Sequence, residues 1–296
     1  MKNLLIFSLL FSVGLANAQT EPLGNVPFNQ TYDRTCALVT NGTWNSANAN
    51  TRLGWQWRRV ENQFDVSPEG KTLYLLARKQ SKQSFALSMA GLGLALGALP
   101  VLASNPGTGN ELTPNAGLAM GMSLSGLALS IASVGPQTKA TDNFEKALWL
   151  RNRDAIAAEL SPAAQPQFKQ LYEQETMYFD FNGWGNGYVK NNQKYRFGMF
   201  GGFAKQEFKG SVQGWDSYKK FQVNQRVGVV TYTLGLASML GSVFLRSDRN
   251  SFSTASFGGL AASLLGGGLI MTANSHLRRA VYFRNRDVVG QRLLWQ

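Results

Sequence analysis

Four stretches without a charged side chain constrain this chain more than any other feature. They run approximately over residues 85–103, 116–134, 228–244 and 256–273. Each is 17 to 19 residues long, the lower edge of what crosses a bilayer as a helix. They come in two pairs joined by short polar turns, and such a pair reads as an antiparallel helical hairpin. Small residues recur four apart along them. Gly93 and Gly97 form one such step and Gly117 and Gly121 another. Gly258, Ala262 and Gly266 run beside Gly259, Ser263 and Gly267. That spacing puts small residues on one helix face, lets backbones approach and suits helix packing in lipid. In water each glycine costs up to ~1 kcal/mol against alanine. These eight glycines are candidate helix-packing positions, and the expectation is four membrane-spanning helices. The alternative is two hairpins buried in a protein core.

The two halves of the chain repeat one another. Lys146-Ala147-Leu148-Trp149-Leu150-Arg151-Asn152-Arg153-Asp154 matches Arg279-Ala280-Val281-Tyr282-Phe283-Arg284-Asn285-Arg286-Asp287, and each follows its hairpin. Leu92-Gly93-Leu94-Ala95 returns as Leu234-Gly235-Leu236-Ala237, and Asn41-Gly42-Thr43-Trp44 has a looser echo in Asn182-Gly183-Trp184. A repeat of this kind governs the reading of everything inside it. The chain reads as two tandem copies, residues 19–160 and 161–296, with hairpins over about 85–134 and 228–273. Each copy holds a polar strand-and-helix segment, an apolar hairpin and a trailing amphipathic helix, so the fold class expected is an α+β membrane protein. Aromatic clusters over 178–181 and 194–200 predict strands, and residues 53–60 read the same way. Residues 71–83 and 215–226 predict helices leading into the hairpins.

Residues 1–18 have the form of a signal peptide: a Lys2 start, an apolar run from Leu4 to Leu15, and Ala16-Asn17-Ala18 before Gln19. The 29 Lys and Arg outnumber 17 Asp and Glu, for a net charge of +12, and 26 of those 29 lie in the three polar regions flanking the hairpins. The positive-inside rule places such regions in the cytoplasm, whereas a cleaved signal places the mature chain outside it. The conflict dissolves at an outer membrane entered from the periplasm. The expectation is therefore an exported cell-envelope protein, outer membrane favoured over inner, with its basic face toward the periplasm. A single Cys and a single His exclude a disulfide scaffold and a Cys/His zinc site.

The paired arginines Arg151, Arg153, Arg284 and Arg286 are the candidate contacts for anionic lipid or an acidic partner, because a guanidinium offers a fork of donors to phosphate. The competing reading pairs Arg151 with Asp154 and Arg284 with Asp287 three residues apart on a helix, with Arg153 and Arg286 facing elsewhere. Trp149 and Tyr282 occupy matching positions and suit a membrane interface. Gly70-Lys71-Thr72 lacks the first glycine of a P-loop, Asp65 standing in its place. No catalytic, cofactor or metal constellation emerges, and the basic, aromatic stretch 190–209 suits anionic lipid or an envelope protein rather than nucleic acid. The partners expected are membrane lipid and a second copy or an envelope protein.

The signal, the Gly-rich hairpin and the segment Arg279-Ala280-Val281-Tyr282-Phe283-Arg284-Asn285 with its earlier copy resemble a class of exported envelope proteins of Bacteroidota-type bacteria. That likeness implies a location and an architecture and no reaction. The function expected is a non-enzymatic envelope membrane protein with a structural or interaction role. The alternatives are an oligomeric pore or transport component, and a secreted soluble protein with buried hairpins.

Overall fold

The computed structural model describes residues 26–47, 49–103, 114–182, 185–198, 200–244 and 249–294. One series of elements occurs twice in it. The first is α1 (Val26–Thr35), β1 (Leu38–Thr40), β2 (Thr43–Ser46), β3 (Ala49–Arg52), a 3₁₀ helix (Trp55–Phe64), α2 (Pro68–Ala103) and α3 (Pro114–Ala158). The second is α4 (Gln165–Glu175), β4 (Met177–Asn182), β5 (Gly185–Lys190), β6 (Gln193–Arg196), a short 3₁₀ turn (Gly202–Ala204) with α5 (Lys205–Phe208), then α6 (Val212–Phe244) and α7 (Arg249–Leu294). The signal-peptide expectation falls on residues outside those described.

Each sheet is an antiparallel meander, β1-β2-β3 and β4-β5-β6. The β1–β2 connection is the pair Asn41 and Gly42, with φ of 51° and 70°. The β5–β6 connection is Asn191 and Asn192, with φ of 48° and 58°. Two left-handed residues in a two-residue loop match the twist of the strands they join, and asparagine and glycine adopt that conformation most cheaply. Register places Trp44 opposite Thr51 and Tyr188 opposite Tyr195.

Behind each sheet an aromatic cluster joins it to the root of a long helix. In the first half, Phe64 stacks on Tyr74 at 4.5 Å and Trp57 lies 4.5 Å from Phe144. In the second, Phe208 stacks on Tyr218 at 4.2 Å. Tyr74 donates its hydroxyl hydrogen to the Trp57 carbonyl at 2.7 Å, and Tyr218 does the same to Gly201. Both acceptor residues are left-handed, Trp57 at φ 60° and Gly201 at φ 74°. The tyrosine bond and the stacked ring therefore hold a tryptophan in a backbone conformation that costs on the order of 1 kcal/mol. This tether also explains why residues 55–64 coil as a 3₁₀ helix where their aromatic pattern suggests a strand.

The long helices carry the largest departure from expectation. Among the described residues, no helix is long and apolar enough to cross a membrane, which overturns the expected four membrane-spanning helices and the α+β membrane class. The chain is mostly helical with two small sheets. The physical reason lies in composition: glycine, alanine and serine interrupt the leucines, and lack of charge is not the same as hydrophobicity. The apolar stretches are the outer parts of longer helices whose inner parts build the head. The 45-residue α3 extends about 68 Å at 1.5 Å per residue. It passes from arm to head at Pro136, which has no N–H for the carbonyl four residues earlier.

Within each arm the two helices pack closely at glycine. A Cβ on Gly91 would meet the Gly126 carbonyl at 2.6 Å, and one on Gly126 would meet the Gly91 carbonyl at 2.5 Å. In the second arm, a Cβ on Gly235 would meet the Ser263 nitrogen at 2.5 Å, and one on Gly266 the Tyr232 nitrogen at 2.4 Å. Of the glycines singled out from sequence, Gly266 and Gly259 lie at this seam, and a Cβ on Gly97 would meet the Met122 methyl at 3.0 Å. Gly93, Gly121, Gly258 and Gly267 face open space. Gly117 lies outside the residues described at side-chain level.

Candidate functional site

The repeated Arg-Asn-Arg-Asp segments lie in the head, where α3 and α7 pass beneath the sheets. Asn152 accepts from the Ala37 amide at 2.8 Å and donates to the Ala37 carbonyl at 2.8 Å. Asn285 accepts from the Met177 amide at 3.0 Å and donates to its carbonyl at 2.7 Å. One side-chain amide thus satisfies both backbone groups at the root of the first strand in each half, as a neighbouring strand would. The aspartate of each segment anchors the long helix of the same half. Asp154 accepts from Ser67 Oγ at 2.6 Å, and Ser67 Oγ accepts from the Gly70 amide at 3.1 Å. Asp287, Ser211 and Gly214 repeat the relay at 2.6 and 3.0 Å. Ser67 and Ser211 thereby cap first-turn N–H groups of α2 and α6, so Gly70-Lys71-Thr72 serves a helix start.

The arginines divide their work. Arg151 donates to the Thr35 carbonyl at 2.5 Å and the Gln63 carbonyl at 3.1 Å, with its guanidinium 5.5 Å from the centre of the Trp44 ring. Arg284 donates to the Glu175 carbonyl and pairs with Glu207 at 2.8 Å. Arg153 and Arg286 each hold the following aspartate at 3.0 Å through Nε, and each then reaches into the opposite half. Arg153 on α3 pairs with Glu173 on α4, and Arg286 on α7 pairs with Asp33 on α1 at 2.9 Å. All four arginines are buried, at 3 to 9% exposure, and their hydrogen bonds run within the head. The pairing is between neighbours in sequence, 153 with 154 and 286 with 287, rather than three apart.

Trp149 and Tyr282 make the same exchange. Trp149 packs on Tyr172 of α4 at 5.6 Å, and its ring nitrogen donates to Thr176 at 2.7 Å. Tyr282 packs on Tyr32 of α1 at 5.2 Å, and its hydroxyl donates to Asp33 at 3.1 Å. Arg153 and Trp149 of the first half thus reach α4 of the second, and Arg286 and Tyr282 of the second reach α1 of the first, the reciprocity of a two-fold axis. The axis is marked by a cavity of about 50 Å³ whose walls pair off, Asn152 with Asn285 and Trp149 with Tyr282. Glu145 and Arg278, equivalent positions in the two halves, meet there as an ion pair with side chains 6% and 22% exposed. Burial pushes the Glu145 carboxyl up, and the Arg278 guanidinium opposes that.

Above the head the arms bound a cleft of about 1000 Å³. Its polar lining comes from Ser84, Ser88, Ser133, Thr141, Asn274 and Ser275, its apolar lining includes Phe85, Val134 and Met271, and Arg278 links it to the axial cavity. Farther out both arms present large apolar side chains to solvent. Leu124, Ile131 and Leu234 are 63 to 64% exposed and Leu264 70%. Single exposed leucines are ordinary, whereas these recur along both arms.

Two acids of the second sheet region have structural partners. Asp180 pairs with Lys194, and Glu207 with Lys190 and Arg284. Burial pushes the Cys36 thiol up despite Arg151 nearby, the opposite of an activated nucleophile. Burial and the adjacent Arg279 hold His276 below the usual imidazole range. Among the described residues no group of three His, Cys, Asp or Glu is placed to hold a metal ion. Sequence reasoning missed the role of Asn152 and Asn285, the Glu145–Arg278 pair and the seam glycines Gly91, Gly126 and Gly235. Asparagine at the same place in both copies of the repeat was the available signal. No family model matches this chain, and neither any curated protein nor any solved structure matches it.

Proposed function

We propose that this is an exported, non-enzymatic protein of the bacterial cell envelope whose head is a rigid frame and whose two arms are its contact surfaces. The observation that carries this reading is the row of half-exposed to largely exposed apolar side chains on both arms. They stand on helices that are packed internally and, among the described residues, are not apolar enough to cross a membrane. Covering such surface is worth about 25 cal/mol per Å², so a second surface stabilises it. The buried arginines, each bonded to carbonyls or carboxylates within the head, support a structural office for it. The arginines and acids of the repeated segments are engaged with one another within the head. The apolar leader at residues 1–18 supports export.

Site-specific photocrosslinking in the native cell tests the reading. A benzoylphenylalanine at Leu127 or Leu264 on the arms is expected to yield discrete protein adducts in the periplasmic or envelope fraction. The same probe at Phe203, an 82% exposed head residue, is expected to yield none. Adducts at Phe203 alone, or an absence of adducts along both arms, refute arms as contact surfaces.

A further inference from the structure

The inward seam of the first arm is set by Ser84, Ser88, Gly91 and Ala95 on α2, which meet Gly126, Ser130 and Ser133 on α3. One residue beyond each of those α2 positions stands an exposed apolar side chain: Phe85, Met89, Leu92 and Leu96. One residue beyond the α3 positions stand Leu127, Ile131 and Val134, with Leu124 continuing the series. The α2 row is spaced 4-3-4 and the α3 row 3-4-3, the alternation of a left-handed coiled-coil seam. A one-residue step turns a helix face by about 100°. Because the two helices run antiparallel, the steps turn both rows toward the same side. Phe85 and Val134, one from each row, accordingly line the same cleft.

We propose that this eight-residue face is a homodimerisation surface, on which the same face of a second copy packs to make a four-helix bundle. The inference rests on the reading of the arms as contact surfaces and names the partner. Three features select a second copy. The face exposes on the order of 700 Å² of apolar surface, close to the ~800 Å² per partner of a stable interface. It carries no charge, so it neither selects an oppositely charged partner nor repels itself. The corresponding face of the second arm is broken: with Gly235 at the seam in the place of Gly91 and Gly259 in the place of Gly126, Thr233 stands where the first arm has Met89, and Gly267 where it has Val134. Closure of one arm on the other within a chain therefore matches a continuous face with an interrupted one, whereas a second copy matches it with itself.

The test uses the purified chain from Gln19 to Gln296. Sedimentation velocity over a concentration series is expected to show a monomer–dimer equilibrium. Ile131→Lys is expected to weaken it by about 100-fold, the scale of a charge forced into a central apolar contact, with helix content unchanged, and with melting temperature unchanged at concentrations where the parent chain is monomeric, because the side chain is 64% exposed. Mixing equal amounts of Ile131→Lys and Ile131→Glu chains is expected to restore the dimer, a rescue that misfolding does not produce. A monomer at every concentration overturns the proposal. So does a dimer indifferent to Ile131→Lys, or an Ile131→Cys/Leu264→Cys variant that crosslinks within one chain. If arm probes still crosslink to a different protein in cells, the contact-surface reading stands and homodimerisation alone fails.

Discussion

Replacing Asn152 tests the head at its most economical point. Asn152→Ala removes two hydrogen bonds of 2.8 Å and strands the amide and carbonyl of Ala37, a residue 1% exposed. A buried polar group left unpaired costs about 1–3 kcal/mol, so the pair sets a ceiling of about 6 kcal/mol. The adjoining cavity of about 50 Å³ lowers that ceiling, because a water needs only ~10–15 Å³ of such volume and the truncation enlarges the space. The expected loss for Asn152→Ala is therefore about 3 kcal/mol. Asn152→Leu fills the same space with hydrocarbon, keeps water out and is expected to lose about 1–2 kcal/mol more. Asn285, which holds Met177 in the same way, is expected to show the same ordering. Urea unfolding followed by tryptophan fluorescence measures all four variants. An alanine loss under about 0.5 kcal/mol, the range of ordinary surface changes, or a leucine variant more stable than the alanine one, refutes the account of Asn152 as a strand substitute.

Three further expectations follow from other contacts. Glu145→Leu is expected to cost about 2 kcal/mol, a value reduced from the 3–5 kcal/mol of fully buried pairs because Arg278 is partly exposed. Glu145→Leu combined with Arg278→Leu is expected to recover most of that loss, and a double-mutant cycle by denaturant titration measures the coupling. Burial pushes the Asp154 carboxyl up, but hydrogen bonds from Arg153, Ser67 and Lys169 outweigh it and hold the carboxyl below its ordinary value. Its contribution is thus present above the unfolded carboxylate range and lost as pH falls through the folded value. Asp154→Asn should flatten the acid limb of a stability-versus-pH curve, and an unchanged limb contradicts the assignment. Gly121→Ala, in open space, is expected to raise stability by up to ~1 kcal/mol, whereas Gly126→Ala is expected to lower it by more because its Cβ meets the Gly91 carbonyl. Thermal melts of both variants decide whether the seam lies where the structure puts it.

The hairpins and the repeat were legible because both are written locally, one in the absence of charge and the other in nine consecutive matching positions. The strands over 178–181 and the helices rooted at 71–83 and 215–226 were legible for the same reason. What escaped was non-local. Arg153 and Arg286 look idle along their own helix because their second partners, Glu173 and Asp33, arrive from the other half. The seam glycines Gly91 and Gly126 resemble the open Gly93 and Gly121 until the rotation of each helix is known. Missing charge points to membrane spanning, yet glycine, alanine and serine supply neutrality without enough hydrophobicity, and among the described residues no helix is apolar enough to cross.

The Glu145–Arg278 contact has a consequence for how the two halves know each other. A backbone arranged about a two-fold axis brings equivalent positions together there, and identical halves would place like against like. Here the axis receives an acid from one half and a base from the other, so the frame is symmetric in shape and antisymmetric in charge. Two copies of the first half meeting this way would press glutamate on glutamate, and two copies of the second, arginine on arginine. The junction therefore acts as a discriminator: it favours the pairing of unlike halves that a single covalent chain guarantees. It also penalises the like-with-like domain exchange to which duplicated proteins are exposed while they fold.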